Sequence, residues 1–279
     1  MRNSAASWSK RVLLGIALTP APWLAVEGTG RADVPPAAPR TEPSPTTVVT
    51  ADSAERGVVG VRGALTRGQA GGVNQNATGL VVAGYGDAFR GDGVLSARAS
   101  HAFAIGGGTG GFEGALGGLF AFGLRVPLGA HGGAFARGAF RGELLGNDAF
   151  YFSRLELPEA QVGYQLITRD VQFEAGATLA PVLAGRFRVG AAATRDLGGT
   201  LAAGGFATVQ TDRVQLSLDL LSVATDGESG AVRMAQGSLC LRAVPLGLCG
   251  DLRAIGDAGN GPAQQRVLYG GILVGLTGP

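Results

Sequence analysis

Residues 213–223 read "RVQLSLDLLSV". Val214, Leu216, Leu218 and Leu220 fall on one face of an extended chain, and Gln215, Ser217 and Asp219 fall on the other. Alternation with a period of two is the signature of a β-strand with one apolar face. The same pattern recurs at "VQFEAGATL" (171–179) and "RFRVGAAAT" (186–194). Helical periodicity is absent, and 49 glycines in 279 residues would break helices throughout. The chain therefore reads as all-β.

Followed along the sequence, the alternation predicts fourteen strands. They begin near Gly57, Ala77, Gly93, Gly114, Gly132, Ala149, Ala160, Val171, Arg186, Thr200, Arg213, Val232, Leu246 and Arg266. Connections of one parity include four long loops, residues 67–76, 105–113, 224–231 and 256–264, whereas those of the other parity are short. In an up-and-down meander this places long loops at one end and tight turns at the other.

The only cysteines, Cys240 and Cys249, lie in "CLRAVPLGLC". A two-residue turn at Val244 and Pro245 sets them directly opposite each other on an antiparallel hairpin, at the spacing a disulfide needs. A structural disulfide implies an oxidising compartment. The first 32 residues agree: Lys10 and Arg11 precede the apolar stretch "VLLGIALTPAPWLAV", and "GRA" ends at Ala32, as in a cleaved export signal. Residues 33–56 form a leader rich in Pro, Thr and Ala, and residues 57–279 a single β domain.

Removing the signal takes away Arg2, Lys10, Arg11 and Arg31 against Glu27, so the whole-chain charge of +2 becomes about −1. The remaining arginines are scattered singly, and nothing in their spacing suggests nucleic acid.

An export signal, a leader and alternating strands joined by long and short connections resemble a Gram-negative outer-membrane β-barrel. The Gly, Ala and Arg bias and the hairpin "CLRAVPLGLCGDLRAIG" are also similar to barrel-like proteins of high-GC Gram-negative bacteria such as myxobacteria. The resemblance implies an antiparallel up-and-down transmembrane barrel of about 12–14 strands in the outer membrane. Its partners would be outer-membrane lipid and the barrel-assembly machinery. Members usually end in an aromatic residue, whereas this chain ends "GLTGP" with Tyr269 the nearest aromatic, and aromatic content is only 6%.

Sorted by face, the lumen is expected to receive Arg62, Arg98, Arg125, Arg137, Arg141, Arg154, Arg186, Arg188, Arg242 and Arg253, against Glu143, Glu156, Glu174, Asp219 and Asp251. Ten positive against five negative charges is an excess of about +5, which would favour anions in a water-filled pore. The same residues could instead interleave and fill a narrow lumen. The expected function is a passive narrow pore, anion-preferring on this count, or a structural surface barrel. The alternative is a soluble exported β-sandwich serving as a surface or matrix binding module.

Catalytic and metal chemistry find little support. His101 and His131 fall toward opposite ends of the meander, and with two cysteines they do not form a recognisable zinc pattern. "IGGGTGGFEG" lacks the Lys and Ser/Thr of a phosphate loop and reads as a surface loop. "NAT" at 76–78 matches a glycosylation acceptor by chance. No enzyme activity, cofactor or metal is expected.

Overall fold

The computed structural model describes residues 56–92, 94–225, 230–258 and 263–277, with backbone alone for Arg56 and residues 89–92. The expected signal and nearly all of the leader lie outside the described residues. The described chain forms thirteen strands: β1 (Arg56–Ala70), β2 (Val73–Asp92), β3 (Leu95–Gly108), β4 (Gly111–Leu128), β5 (Gly132–Asn147), β6 (Phe150–Ile167), β7 (Val171–Val189), the two-residue β8 (Arg195–Asp196), β9 (Thr200–Thr211), β10 (Val214–Ala224), β11 (Ala231–Ala243), β12 (Leu246–Asp257) and β13 (Gln265–Thr277).

Each long strand pairs antiparallel with its neighbours in sequence, β8 being a short addition to β7. β13 returns to β1, so the sheet closes into a twelve-stranded up-and-down barrel. Closure excludes the two-sheet sandwich. The orientation of the faces excludes it a second time, because Leu216, Leu218 and Leu220 are about half exposed on the outside while Gln215 is buried inside. Leu, Val, Ile and Phe cover the outer surface of the other strands in the same way. So extensive an apolar exterior is the surface of a barrel solvated by lipid, in which every backbone polar group must find its partner in the ladder. The outward phenylalanines gather on β3, β4 and β5 (Phe103, Phe112, Phe120, Phe122 and Phe140).

Fourteen expected strands become twelve because two pairs fuse. The segments beginning at Ala149 and Ala160 are one strand, β6, and those beginning at Val171 and Arg186 are one strand, β7. Bulges interrupt both. Arg141 pairs with Glu156 and Ala139 with Glu159, so Leu157 and Pro158 together oppose Phe140 alone and β6 carries one extra residue. Glu156 faces Val182 and Leu155 faces Ala184, leaving Leu183 extra in β7. An extra residue breaks the period of two, so a continuous strand looks like two in sequence. After both fusions the parity of the meander is restored, except that residues 168–170 move to the tight-turn end.

Two of the four expected loops are strands. Residues 67–76 are the tip of the β1–β2 hairpin, turning at Gly71 and Gly72 with φ of 55° and 78°, where a side chain would be strained. Residues 105–113 likewise belong to β3 and β4 around Thr109 and Gly110. In 67–76 the outward Arg67, Gln69, Asn74 and Asn76 are polar, and in 105–113 a run of glycines separates the outward Ile105 and Phe112, so hydrophobic periodicity fades there while the hydrogen-bond ladder continues. The longer connections at this end are 190–199, 225–230 and 258–264. At the other end every turn has two or three residues. The end asymmetry therefore stands, though it is carried by different segments.

Cys240 and Cys249 are direct register partners and are disulfide-bonded, with Cα atoms 4.0 Å apart. They face inward beside the Val244–Pro245 turn at the tight-turn end. The bond closes a short loop in a hairpin that is also held on both sides by neighbouring strands. Converting both cysteines to serine is expected to lower the unfolding free energy obtained from urea titration by no more than ~2–3 kcal/mol, and to leave the amount of barrel in the membrane unchanged.

Candidate functional site

The inward side chains form the site, in two zones. At the long-loop end the lumen is apolar. Phe150, Phe152 and Phe187 from β6 and β7 pack with Val189, Met234, Ile255 and Val267 and with Leu197 from the connection after β7. That connection, residues 190–199, is a strap. Its base is tied to β7 by Leu197 N donating to Gly185 O (2.9 Å) and Gly199 N to Val182 O (2.8 Å). Its far side reaches β12 and β13, where Arg195 Nη2 donates to Asp257 Oδ2 at 3.1 Å and Gln265 Nε2 to Ala193 O at 2.6 Å. Since β12 and β13 lie across the barrel from β7 in strand order, the strap crosses the mouth.

Below the apolar zone lies a charged one. Glu174, fully buried, accepts from Arg137 Nη2 at 2.7 Å on one oxygen and from Arg137 Nη1 at 3.0 Å on the other. Arg98 also reaches it at 3.2 Å and continues to Asp87 at 3.1 Å. Phe135 and Phe206, with ring centroids 6.4 Å apart, support these guanidinium groups: Arg137 lies over Phe135 at 4.0 Å and Arg98 over Phe206 at 5.6 Å. A second group joins Arg62 to both oxygens of Asp251 (3.0 and 2.9 Å), to Tyr269 Oη (2.8 Å) and to Glu113 (3.4 Å). A third links Arg141 to Glu159 at 2.9 Å, Arg154 to Glu143 and Glu156 at 3.0 Å each, and Arg253 to Glu143. Cavities of about 100 and 110 Å³ lie among these groups, and Arg253 borders both. Each has room for only a few waters at roughly 30 Å³ apiece.

Of the expected lumen residues, Arg62, Arg98, Arg125, Arg137, Arg141, Arg154, Arg242, Arg253, Glu143, Glu156, Glu174, Asp219 and Asp251 lie on the inner face. Arg186 and Arg188 do not. They are exposed on the outside, while Phe187 and Val189 point in, because the bulge at Leu183 reverses the faces of β7. The bulge at Leu157 and Pro158 similarly turns Glu159, Gln161 and Gln165 inward. Asp87, and Glu113 from the expected loop 105–113, lie on strands and are also buried inside. Asp257 joins them at the strap.

These changes remove the expected excess of charge. Among the described residues the inner face of the strands carries eight arginines and nine carboxylates, and the strap adds Arg195. The lumen is electrically balanced, and nearly every charge in it is paired. Sequence alternation could have revealed Asp87 and Glu113 if "GYGDAF" and "GGFEGALGG" had been read as strand.

His101 lies mid-strand on the outer face of β3, opposite Gly86 and Gly118, rather than near a loop. His131 lies in the β4–β5 turn, where its carbonyl accepts from Arg125 and Ile167. Among the described residues no group of three or more His, Cys, Asp or Glu is arranged to hold a metal. "IGGGTGGFEG" is the β3–β4 hairpin, and its Glu113 serves the Arg62 group.

No protein-family model matches the chain, and no curated protein matches it. Among solved structures it is similar to the translocator domain of the autotransporter NalP from Neisseria meningitidis, with 13% identity, TM-score 0.35, and coverage of 82% of this chain and 90% of that one. It is similar to the NanC porin (7%, TM-score 0.37, covering 77% and 98%) and to an anion-selective porin from Comamonas acidovorans (9%, TM-score 0.33, covering 80% and 99%). The barrel assignment rests on the closed ladder of hydrogen bonds and not on these low similarities.

Proposed function

We propose that this protein is an outer-membrane β-barrel whose lumen is a narrow, passive path, closed at rest by two barriers in series. One is the apolar plug under the strap, and the other is the layer of ion pairs. The observation that carries this reading is the filling of the lumen: fully buried aromatic side chains occupy the long-loop end, and paired charges fill the middle around cavities of about 100 and 110 Å³. The balanced charge supports weak ion discrimination in place of the anion preference that the sequence count suggested. The long-loop end faces outside and both ends of the barrel sequence face the periplasm, following the end asymmetry of such barrels.

The test is fractionation with heat modifiability. Expressed with its N-terminal segment in a Gram-negative host, the protein should stay with the outer membrane, and its electrophoretic mobility should change only on boiling. In planar bilayers it should show rare openings of small conductance and little preference between chloride and potassium. Recovery as a soluble species without a heat shift would overturn the barrel reading. A large, steadily open pore would overturn the two barriers.

A further inference from the structure

The outer wall carries a site that the lumen does not explain. At the long-loop end the backbone register aligns Ser222, Arg233, Gly256, Arg266 and Gln69 in one row across β10, β11, β12, β13 and β1. All belong to the outward set. The next row toward the membrane centre is Leu220, Ala235, Ala254, Leu268 and Arg67. Further down the face becomes wholly apolar, through Leu218 and Leu252 to Leu216 and Leu239. The arginines thus stand where the apolar belt meets the polar tips of the strands. There a charge on the lipid-facing side costs far less than at the midplane.

Arginine at that level could simply snorkel toward water. The shape of the wall argues for more. The two rows border a depression of about 1080 Å³, larger than most small-molecule clefts (~300–1,000 Å³). Its floor is open because Ala235, Ala254 and Gly256 stand where neighbouring strands carry large side chains. A Cβ on Gly256 would lie 3.0 Å from Arg266 Cγ, so Arg266 leans directly over the glycine. Among the described residues none of Arg67, Arg233 and Arg266 forms an ion pair, unlike the arginines of the lumen. Asp257 also borders the depression, but its carboxylate is engaged by Arg195 and by Gln265 N.

We infer that this depression is a binding site for a bis-phosphorylated, multiply acylated glycolipid of the outer leaflet. Arg233 and Arg266 are two strands apart, roughly 10 Å at the usual strand spacing, and Arg67 sits two residues along β1 from Gln69. Three separate guanidinium groups suit two phosphates better than one, since arginine takes a phosphate by paired N–H donors. Ser222 and Gln69 supply neutral hydrogen-bonding groups in the same row for sugar hydroxyls. The volume beneath accommodates more than one acyl chain against Leu220, Leu268 and the small residues. This inference rests on the membrane-barrel reading given above.

Native mass spectrometry of the full-length barrel in detergent, with added lipid, tests it. The probes are a bis-phosphorylated hexa-acyl glucosamine disaccharide, its dephosphorylated counterpart and phosphatidylglycerol. Wild type should retain the bis-phosphorylated lipid at least about tenfold better than either other probe, as two lost charge-assisted contacts would require. Arg233→Gln with Arg266→Gln should remove that preference. Ala235→Phe with Ala254→Phe, which fills the floor and keeps the arginines, should weaken binding of all acylated probes at this site. Both pairs project outward, and a preserved heat shift verifies folding. Equal retention of all three probes by wild type, or a preference that survives both double variants, overturns the site. In that event an intact heat shift and outer-membrane fractionation would leave the barrel reading standing, whereas their loss would refute that reading itself.

Discussion

Glu174→Gln is expected to destabilise the barrel by ~3–5 kcal/mol, the usual cost of removing one partner from a buried ion pair. Glu174 has no solvent exposure and is the common acceptor of Arg98, Arg137 and, at 3.4 Å, Gln165. The amide keeps the shape but removes the charge and places a donor against two guanidinium groups. Arg98 retains Asp87 and Thr208, but Arg137 retains only Ser96 Oγ, at 3.5 Å. Most of the loss therefore falls on Arg137. Urea unfolding followed by the heat-shift gel should show a clearly lower midpoint for Glu174→Gln, and partial recovery when Arg137→Leu is combined with Glu174→Leu, because a buried apolar pair needs no desolvation of charge. Arg253→Gln, at the more open edge of the network, should cost less. An unchanged midpoint for Glu174→Gln would mean that the charged layer is hydrated and not a structural core.

The second large effect concerns conduction. Removing either barrier alone should leave conductance close to wild type, because the remaining barrier is in series with the missing one. The apolar barrier is opened by replacing residues 191–198 with a short Gly-Ser linker and Phe150, Phe152 and Phe187 with serine, which takes away Leu197, the Arg195–Asp257 tie and the aromatic plug. The ionic barrier is opened by Arg253→Ser with Glu143→Ser. That change deletes one opposite pair, preserves net charge, and joins the two cavities that Arg253 separates. Arg154 keeps Glu156 in that variant. The combined variant should conduct on the order of ten times more than wild type in planar bilayers, since a wetted and unobstructed lumen no longer presents a dewetted constriction. A full increase from opening the apolar barrier alone would show that the ion pairs do not impede flow. No increase from the combination would locate the barrier elsewhere.

Particular residues show how far alternation can be trusted. From Val214 to Leu220 the period of two holds without interruption, and the inward Gln215 and Asp219 are legible at once. Around Cys240 and Cys249 the turn position settles the register, and the register settles the disulfide. In β7 the reading holds through Val182 and reverses at Leu183. The flanking segment is Leu183, Ala184 and Gly185, and neither Ala nor Gly marks a face by hydrophobicity, so the extra residue at the bulge leaves no trace in the pattern. Arg186 and Arg188 are therefore misplaced, and Glu159 is missed for the same reason in β6. Asp87 and Glu113 were hidden by neighbouring glycines that resemble turns.

The amino-acid sequence by itself determined the β class, the meander with unlike ends, which residues of a strand share its apolar face, and the paired cysteines. All of these follow from local periodicity and from spacing about a turn. Only the tertiary structure decided that twelve strands close the barrel, which arginines face the lumen, that the lumen is balanced and filled, and that a row of arginines overhangs a groove on the outer wall. Those properties depend on bulges and on register across strands distant in sequence. A one-residue shift there reverses every side chain beyond it, and local hydrophobicity does not record the shift.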